Sequence, residues 1–373
     1  MKSDGIISVL IVDDSAMVRK ILTMGFESDP GFRVVGVANN VETARRLVEE
    51  TKPDVLTLDI EMPRIDGLTW LRELMADTPI PVVIISSLIG RSPEVTMHAM
   101  ESGAVDVIEK PTTTIGMGNL PVMHDIRNRV RAAAFARLRP VRINRPVRAQ
   151  PVPRPSWPRR AGQKIMAIGS STGGVQALAR ILPMFPADSP AVLIVQHMPQ
   201  GFTDSFAKRL NGLCKMDVRE ARDGDLVQDG LVLVAPGGDR HMQLRRDGFL
   251  YRVALVEGPS VCFSRPSVDV LFDTAARTAG PNMTAAILTG MGRDGAKGLL
   301  AIREAGGRTI AQDCETSVVY GMPAAAAEIG AADQIAPLDL IPSLMLSDAQ
   351  WSPLPPPLSP IPARAGQTLS SQG

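Results

Sequence analysis

Twice along this chain, short apolar runs alternate with stretches of helical spacing, and a segment without a single acid separates the two series. The first series is SVLIVDD, RVVGVAN, DVLTLDI, PVVIISS and AVDVIEK, interleaved with stretches such as ARRLVEE and TWLRELM. Apolar runs of this length, each followed by a helical stretch, are strands covered on both faces, and their rhythm is that of repeated βαβ units in a parallel sheet. A five-stranded doubly wound α/β domain is predicted. The second series is KIMAIG, AVLIVQHM, LVLVAPG, TAAILTG and GRTIAQD, with GVQALARIL and TDSFAKRLN between them. It predicts a larger, doubly wound and mostly parallel α/β domain, with HMQLRRDGFLYRVAL as a hairpin turning at Asp247-Gly248.

The intervening segment fixes the boundaries. From Ile126 to Lys164 there is no Asp or Glu, while RLRPVRINRPVRAQPVPRPSWPRR is dense in Arg and Pro. Proline removes backbone donors and like charges repel, so an extended linker is expected, with only a helical start near 125–138. The division is therefore 1–125, a linker over 126–161, a second domain over 162–347, and a Pro-rich, disordered tail over 348–373. At 373 residues and 45% apolar content, each half is long enough to bury a core. The formal charge of +1 gives no general case for nucleic acid, and the arginines sit in the tether rather than on a helix-turn-helix-sized module. A transcription regulator with a DNA-binding second half is therefore disfavoured. Three cysteines without a CxxC pair suit reduced thiols, and no run is long enough for a signal peptide or a membrane span. A cytoplasmic protein without membrane insertion is expected.

Ligand crevices in parallel sheets lie beyond the carboxyl ends of the strands. In the first series Asp13 and Asp14 end the first strand, Asp59 the third, Ser86 the fourth and Lys110 the fifth. Three carboxylates in one crevice repel unless a hard divalent cation sits among them, and oxygen donors suit magnesium. The set matches phosphoryl transfer to a carboxylate. The pieces VDDS, LDIEMPRIDG, ISS and EKP resemble the receiver domain of bacterial response regulators, which is flavodoxin-like in topology. That resemblance implies Asp59 as phospho-acceptor and a Mg2+ site of Asp13, Asp14, Asp59 and the backbone carbonyl of Glu61. It further implies Ser86 as the switch hydroxyl, Lys110 as the group that meets the phosphoryl oxygens, and a histidine kinase as phosphodonor. Val107 stands where many receivers have Phe or Tyr.

In the second series GSSTG, Gly169 to Gly173, fits a GxSxG elbow centred on Ser171. It lacks the Lys of a P-loop and the GxGxxG spacing of dinucleotide folds, which weakens an anion-cradle reading. A nucleophilic serine needs a base, and the base needs an acid that fixes its tautomer. Of the four histidines, His98 and His124 belong to the first domain or the start of the linker, leaving His197, at the carboxyl end of AVLIVQ, and His241, which serves as well on spacing alone. Asp294 follows the strand of LTGMGRDGAKGL, where helix capping is the bland alternative; Asp269, Asp273 and Asp313 are less well placed.

The blocks IGSSTGGVQAL, VQHMPQGFTDSFAKRLN, VAPGGDRHM, PSVDVLFDTAA, LTGMGRDGAKGL and AQDCETSVVYGMP resemble the methylesterase domain of the chemotaxis CheB family. The resemblance implies Ser171 as nucleophile, His197 as base, Asp294 as its orienting acid, and the amides of Thr172 and Met291 as oxyanion donors. Ser170 and His241 are left as supporting residues. It also implies hydrolysis of glutamyl methyl esters and deamidation of glutamines on methyl-accepting chemoreceptors, with no metal in the hydrolytic step. An esterase with a substrate outside chemotaxis is the alternative.

Overall fold

The computed structural model describes residues 5–62, 67–86, 93–111, 120–137 and 163–347. The tail and the Arg/Pro-rich tether from 138 to 162, with the boundary at 161/162, lie outside them, whereas the boundary at 125/126 falls within a described helix.

The first series folds as β1 (Ile7–Val12), α1 (Ala16–Glu27), β2 (Phe32–Ala38), α2 (Val41–Thr51), β3 (Val55–Leu58), α3 (Gly67–Asp77), β4 (Val82–Ser86), α4 (Pro93–Glu101), β5 (Asp106–Glu109) and α5 (Leu120–Ala134). Its five strands are all parallel, in the order β2-β1-β3-β4-β5. Every residue of β3 and β4 is buried, as expected of a strand with helices on both faces. Helices begin where polar side chains cap their free amides: Ser15 accepts from the Val18 amide before α1, and Asn40 from the Thr43 amide before α2. The stretch expected to start helically near 125–138 belongs to α5, which packs on β3, β4 and β5.

The second series gives β6 (Ile165–Ser170), α6 (Gly174–Ile181), β7 (Ala191–Gln196), α7 (Phe202–Leu213), β8 (Asp217–Glu220), β9 (Leu231–Val234), β10 (Arg240–Asp247), β11 (Leu250–Glu257), α8 (Val268–Ala279), β12 (Met283–Ile287), α9 (Ala296–Glu304), β13 (Arg308–Gln312), α10 (Met322–Glu328), β14 (Gln334–Ala336) and α11 (Ile341–Leu346). Seven strands form one parallel sheet in the order β14-β13-β12-β6-β7-β9-β8. The predicted hairpin is present as β10 and β11, an antiparallel pair with Asp247 opposite Leu250. Both faces of β6 and β7 are covered without a gap in burial. Each Val, Ile or Leu side chain taken from water there contributes roughly 1.5–3 kcal/mol, and this burial holds the strand ends in register.

Chain direction through the sheet decides where a site can form. β6 is central, with β7 on one side and β12 on the other, so the segments leaving β6 and β12 diverge above their carboxyl ends. The same reversal occurs at β1 and β3 of the first sheet. Each opens a crevice.

Candidate active site

At the first crevice, the carboxylate oxygens of Asp13, Asp14 and Asp59 lie within 4.8 Å of one another. Lys110 Nζ donates to Asp59 Oδ2 at 2.6 Å and stands 3.2 Å from Asp13 Oδ2. Burial raises the Asp13 carboxyl above its ordinary range; Lys110 offsets this only in part, and the Asp59 charge adds to it. Burial alone would lower Lys110, but the hydrogen bond and charge of Asp59, together with Asp13, raise it. Ser86, the last residue of β4, is buried beside them, and the Glu61 amide donates to Asp59 Oδ1 at 3.0 Å. Asp13 Oδ2 is buried without a hydrogen bond. A buried anionic oxygen paired with the Lys110 ammonium alone, within an all-oxygen donor set, fits a hard divalent cation such as Mg2+. Val107 is buried on β5.

At the second crevice, Ser171 leaves β6 and His197 leaves the neighbouring β7, and two backbone bonds tie the exits together. The His197 amide donates to Ser170 O at 3.1 Å and the Ser171 amide to Thr289 O at 3.0 Å. Gln196 completes the brace, accepting from Ser170 Oγ at 2.6 Å while its own amide donates to Ser171 O at 3.0 Å. Gly173, at φ +79°, supplies the left-handed residue that starts α6, and a Cβ on Gly290 would meet Ser171 Cβ at 2.8 Å. These two glycines let backbone approach the serine.

His197 Nε2 bonds Asp294 Oδ2 at 2.8 Å. Asp294 also accepts from Ser267 Oγ at 2.8 Å, the Val268 amide at 2.8 Å and the Asp269 amide at 3.0 Å. The carboxylate therefore caps the amino end of α8, a helix that precedes it in the chain, and not α9, whose N-cap Gly295 makes no side-chain cap bond. Burial would raise its pKa, but the hydrogen bond and charge of His197, with the α8 amides and Ser267, lower it below the ordinary carboxylate value. An ionised Asp294 makes Nε2 the protonated nitrogen and leaves Nδ1 as the acceptor.

Nδ1 is met at 3.3 Å by Ser264 Oγ, while no hydrogen bond joins Ser171 to His197 among the described residues. The Thr172 and Met291 amides donate to no other group there. His241 is engaged at both nitrogens: Nδ1 accepts from the Ser267 amide at 3.1 Å and Nε2 donates to Pro259 O at 2.9 Å. That ties it to backbone and leaves His197 as the imidazole facing the cleft.

The first domain is docked against this crevice. Thr172 Oγ1 donates to Asp106 Oδ2 at 2.7 Å, the Gly173 amide to Val105 O at 3.3 Å, and Gln176 Nε2 to the carbonyls of Met100 and Ala104 at 2.9 and 2.7 Å. Arg209 pairs with Glu101. Ser171, His197 and Asp294 are only 8%, 7% and 2% exposed, so this arrangement leaves little room for a protein substrate.

Sequence reasoning missed Gln196, Ser267, Ser264 and Asp106. A polar residue ending an apolar strand marks Gln196, and Ser before VDVLFDTAA marks the cap Ser267. Ser264 and Asp106 carry no local signal.

Fold and site together define a receiver-type domain joined to an α/β domain with serine, histidine and aspartate near one switch point. A family model described as CheB methylesterase matches residues 166–345, and one described as response regulator receiver domain matches 9–117. The chain is 56% identical over 343 residues to protein-glutamate methylesterase/protein-glutamine glutaminase 2 of Cereibacter sphaeroides, covering 92% of each chain. It is 50% identical over 343 residues to the Pseudomonas aeruginosa protein of that name, covering 92% of this chain and 97% of the other. A crystal structure of the Thermotoga maritima CheB methylesterase catalytic domain is 43% identical, covering 50% of this chain and 98% of its own, at a TM-score of 0.48. The chain belongs to the receiver-containing CheB methylesterase family. No helix among the described residues is long and apolar enough to cross a membrane.

Proposed function

We propose that this chain, a protein-glutamate methylesterase and protein-glutamine glutaminase governed by its receiver, acts on methyl-accepting chemoreceptors in the cytoplasm through Ser171, His197 and Asp294. The observation that carries the assignment is the His197 Nε2 to Asp294 bond of 2.8 Å, made by a fully hydrogen-bonded carboxylate beside the elbow that bears Ser171. Ser171 Oγ attacks the glutamyl side-chain carbonyl as its proton passes to His197 Nδ1. The Thr172 and Met291 amides receive the oxyanion. His197 then returns the proton to departing methoxide, giving methanol, or to the departing amide, giving ammonia. Water repeats the cycle on the acyl-enzyme, regenerating the serine and leaving a glutamate.

In the receiver, taken as 1–125 with a tether over 126–161, Asp13, Asp14, Asp59 and the Glu61 carbonyl would hold Mg2+, which neutralises charge during phosphoryl transfer. Asp59 takes the phosphoryl group from a histidine kinase, Lys110 meets its oxygens and Ser86 reads its presence. The contacts of Asp106, Val105 and Met100 with the elbow and α6 support a receiver that covers the cleft until phosphorylation favours an open arrangement. The test is methanol release from methyl-labelled receptor, with and without a phosphodonor. Ser171→Ala should lose at least about a thousandfold in rate while remaining folded, and Asp59→Asn should lose the stimulation only. Undiminished release by the Ser171 variant overturns the assignment.

A further inference from the structure

The nitrogen that would take the serine proton is occupied by a different hydroxyl. Ser264 Oγ lies 3.3 Å from His197 Nδ1, and because Nε2 carries the proton toward Asp294, the Ser264 hydroxyl is the donor of that bond. Ser264 is presented by a closed four-residue turn: the Val261 amide donates to Ser264 O at 3.1 Å and the Ser264 amide to Val261 O at 2.9 Å. Its two central residues, Cys262 at φ +49° and Phe263 at φ +64°, are both left-handed without being glycine. Left-handed backbone in two successive side-chain-bearing residues costs on the order of 1 kcal/mol each and persists only where surrounding structure enforces it. The Phe263 ring, 78% exposed, stacks at a tilt on His124 of α5, with centroids 5.4 Å apart. A strained turn thus reaches from the receiver to the catalytic imidazole.

We propose that Ser264 is a positioning residue of the hydrolytic site, whose hydroxyl holds the His197 ring with Nδ1 toward the cleft and keeps that nitrogen unprotonated until Ser171 takes its place. This rests on the assignment of Ser171 and His197 above. A hydrogen bond donated to the Nδ1 lone pair favours the neutral ring, so its loss makes the ring easier to protonate. The other charged or titratable groups around the imidazole are Asp294 on Nε2, with Cys262, Asp269 and Lys297 grouped behind that carboxylate. None of them donates to Nδ1.

The experiment uses the full chain in two readouts. In a Ser171→Ala background, where no second hydroxyl competes for Nδ1, the ring signals of the four histidines are titrated by NMR, His197 being assigned from their loss in His197→Gln. Adding Ser264→Ala should shift the His197 titration upward by a few tenths to about one pH unit, and Ser264→Thr, which retains a hydroxyl, should not. With Ser171 intact and a phosphodonor present, Ser264→Ala should move the acid limb of kcat/KM to higher pH, and Ser264→Thr should restore it. An unmoved His197 titration in the Ala variant, or equal movement in Ala and Thr, overturns the proposal even if Ser171→Ala is inactive. Release that survives Ser171→Ala removes instead the assignment on which it rests.

Discussion

Asp13 and Asp294 occupy equivalent places in two parallel sheets, each just past a strand at a switch point, yet their surroundings are opposite. Asp13 has a pKa raised by burial, an offset from the Lys110 ammonium 3.2 Å from its Oδ2 that does not suffice, and a like charge from Asp59 nearby. Asp294 accepts from an imidazole, a hydroxyl and two helix-end amides, which outweigh its burial and lower its pKa. A carboxylate balanced only by one ammonium leaves room for a cation, as the acidic pocket of Asp13, Asp14 and Asp59 suits. A carboxylate finished by such donors implies that its work is to hold a neighbour. Burial alone does not separate these roles, because Asp13 is 1% exposed and Asp294 2%.

Replacing each with asparagine breaks the comparison most severely. Asp294→Asn removes the charge that fixes the His197 tautomer, so methanol release should fall by about 10³–10⁴. The donors at the start of α8 lose a charged acceptor, so the esterase domain should also weaken by about 2 kcal/mol. Asp13→Asn should do the reverse to stability, strengthening the cation-free receiver by about 1 kcal/mol through relief of a buried charge that Lys110 only partly offsets, while abolishing Mg2+-dependent phosphorylation. Urea unfolding followed by a separate probe in each domain reads both effects, since two domains need not unfold together. Equal signs in the two variants would refute the contrast.

Acid probes the finished carboxylate alone. Because its folded pKa lies below the ordinary value of 3.8, Asp294 contributes stability that is fully present above that value and lost as pH falls through the lowered one. Loss of esterase-domain structure, followed by circular dichroism, should begin only in strong acid.

Much of this was legible because strand ends and switch points follow from the order of apolar runs. Asp13, Asp14, Asp59, Ser171, His197 and Asp294 each stand directly after a run that the sequence marks as a buried strand, or within the turn that follows it. The choice between His197 and His241 was not legible. Both come after apolar runs in the sequence, and only the structure shows His241 inside β10 with its ring fully engaged by the Ser267 amide and the Pro259 carbonyl. Capping of the following helix was the plain alternative for Asp294, and α9 has no such cap; the carboxylate instead caps α8 while it holds His197, a pairing no local pattern encodes. Ser264 and Asp106 stayed hidden for the same reason: their partners lie 67 and 66 residues away, on surfaces whose juxtaposition no local pattern encodes.

Asp106 sharpens the comparison because it combines both conditions. Burial raises its pKa, as for Asp13, while Arg129, Thr172 Oγ1 and the Val107 amide lower it without winning. Its partner Thr172 is in the other domain, so separating the domains would return water to the carboxylate and bring its pKa back toward the ordinary value. The docked arrangement thus binds a proton more tightly than the open one. The contribution of Asp106 to docking is fully present below about 3.8, the ordinary carboxylate value, and is lost as pH rises through its raised value. Asp106→Ala removes the Thr172 acceptor and should raise unphosphorylated activity about fivefold, the equivalent of about 1 kcal/mol for one hydrogen bond. Asp106→Asn keeps an acceptor oxygen and removes the buried charge, so it should hold the receiver down at least as firmly as the natural residue. Assays of unphosphorylated protein across pH separate these outcomes, because the pH dependence of the hydrolytic step itself is common to all three chains and cancels in their ratios. If the Ala and Asn variants are equally active at every pH, Asp106 contributes nothing to closure, and the receiver is held by the other contacts, among them those of Gly173, Gln176 and Arg209.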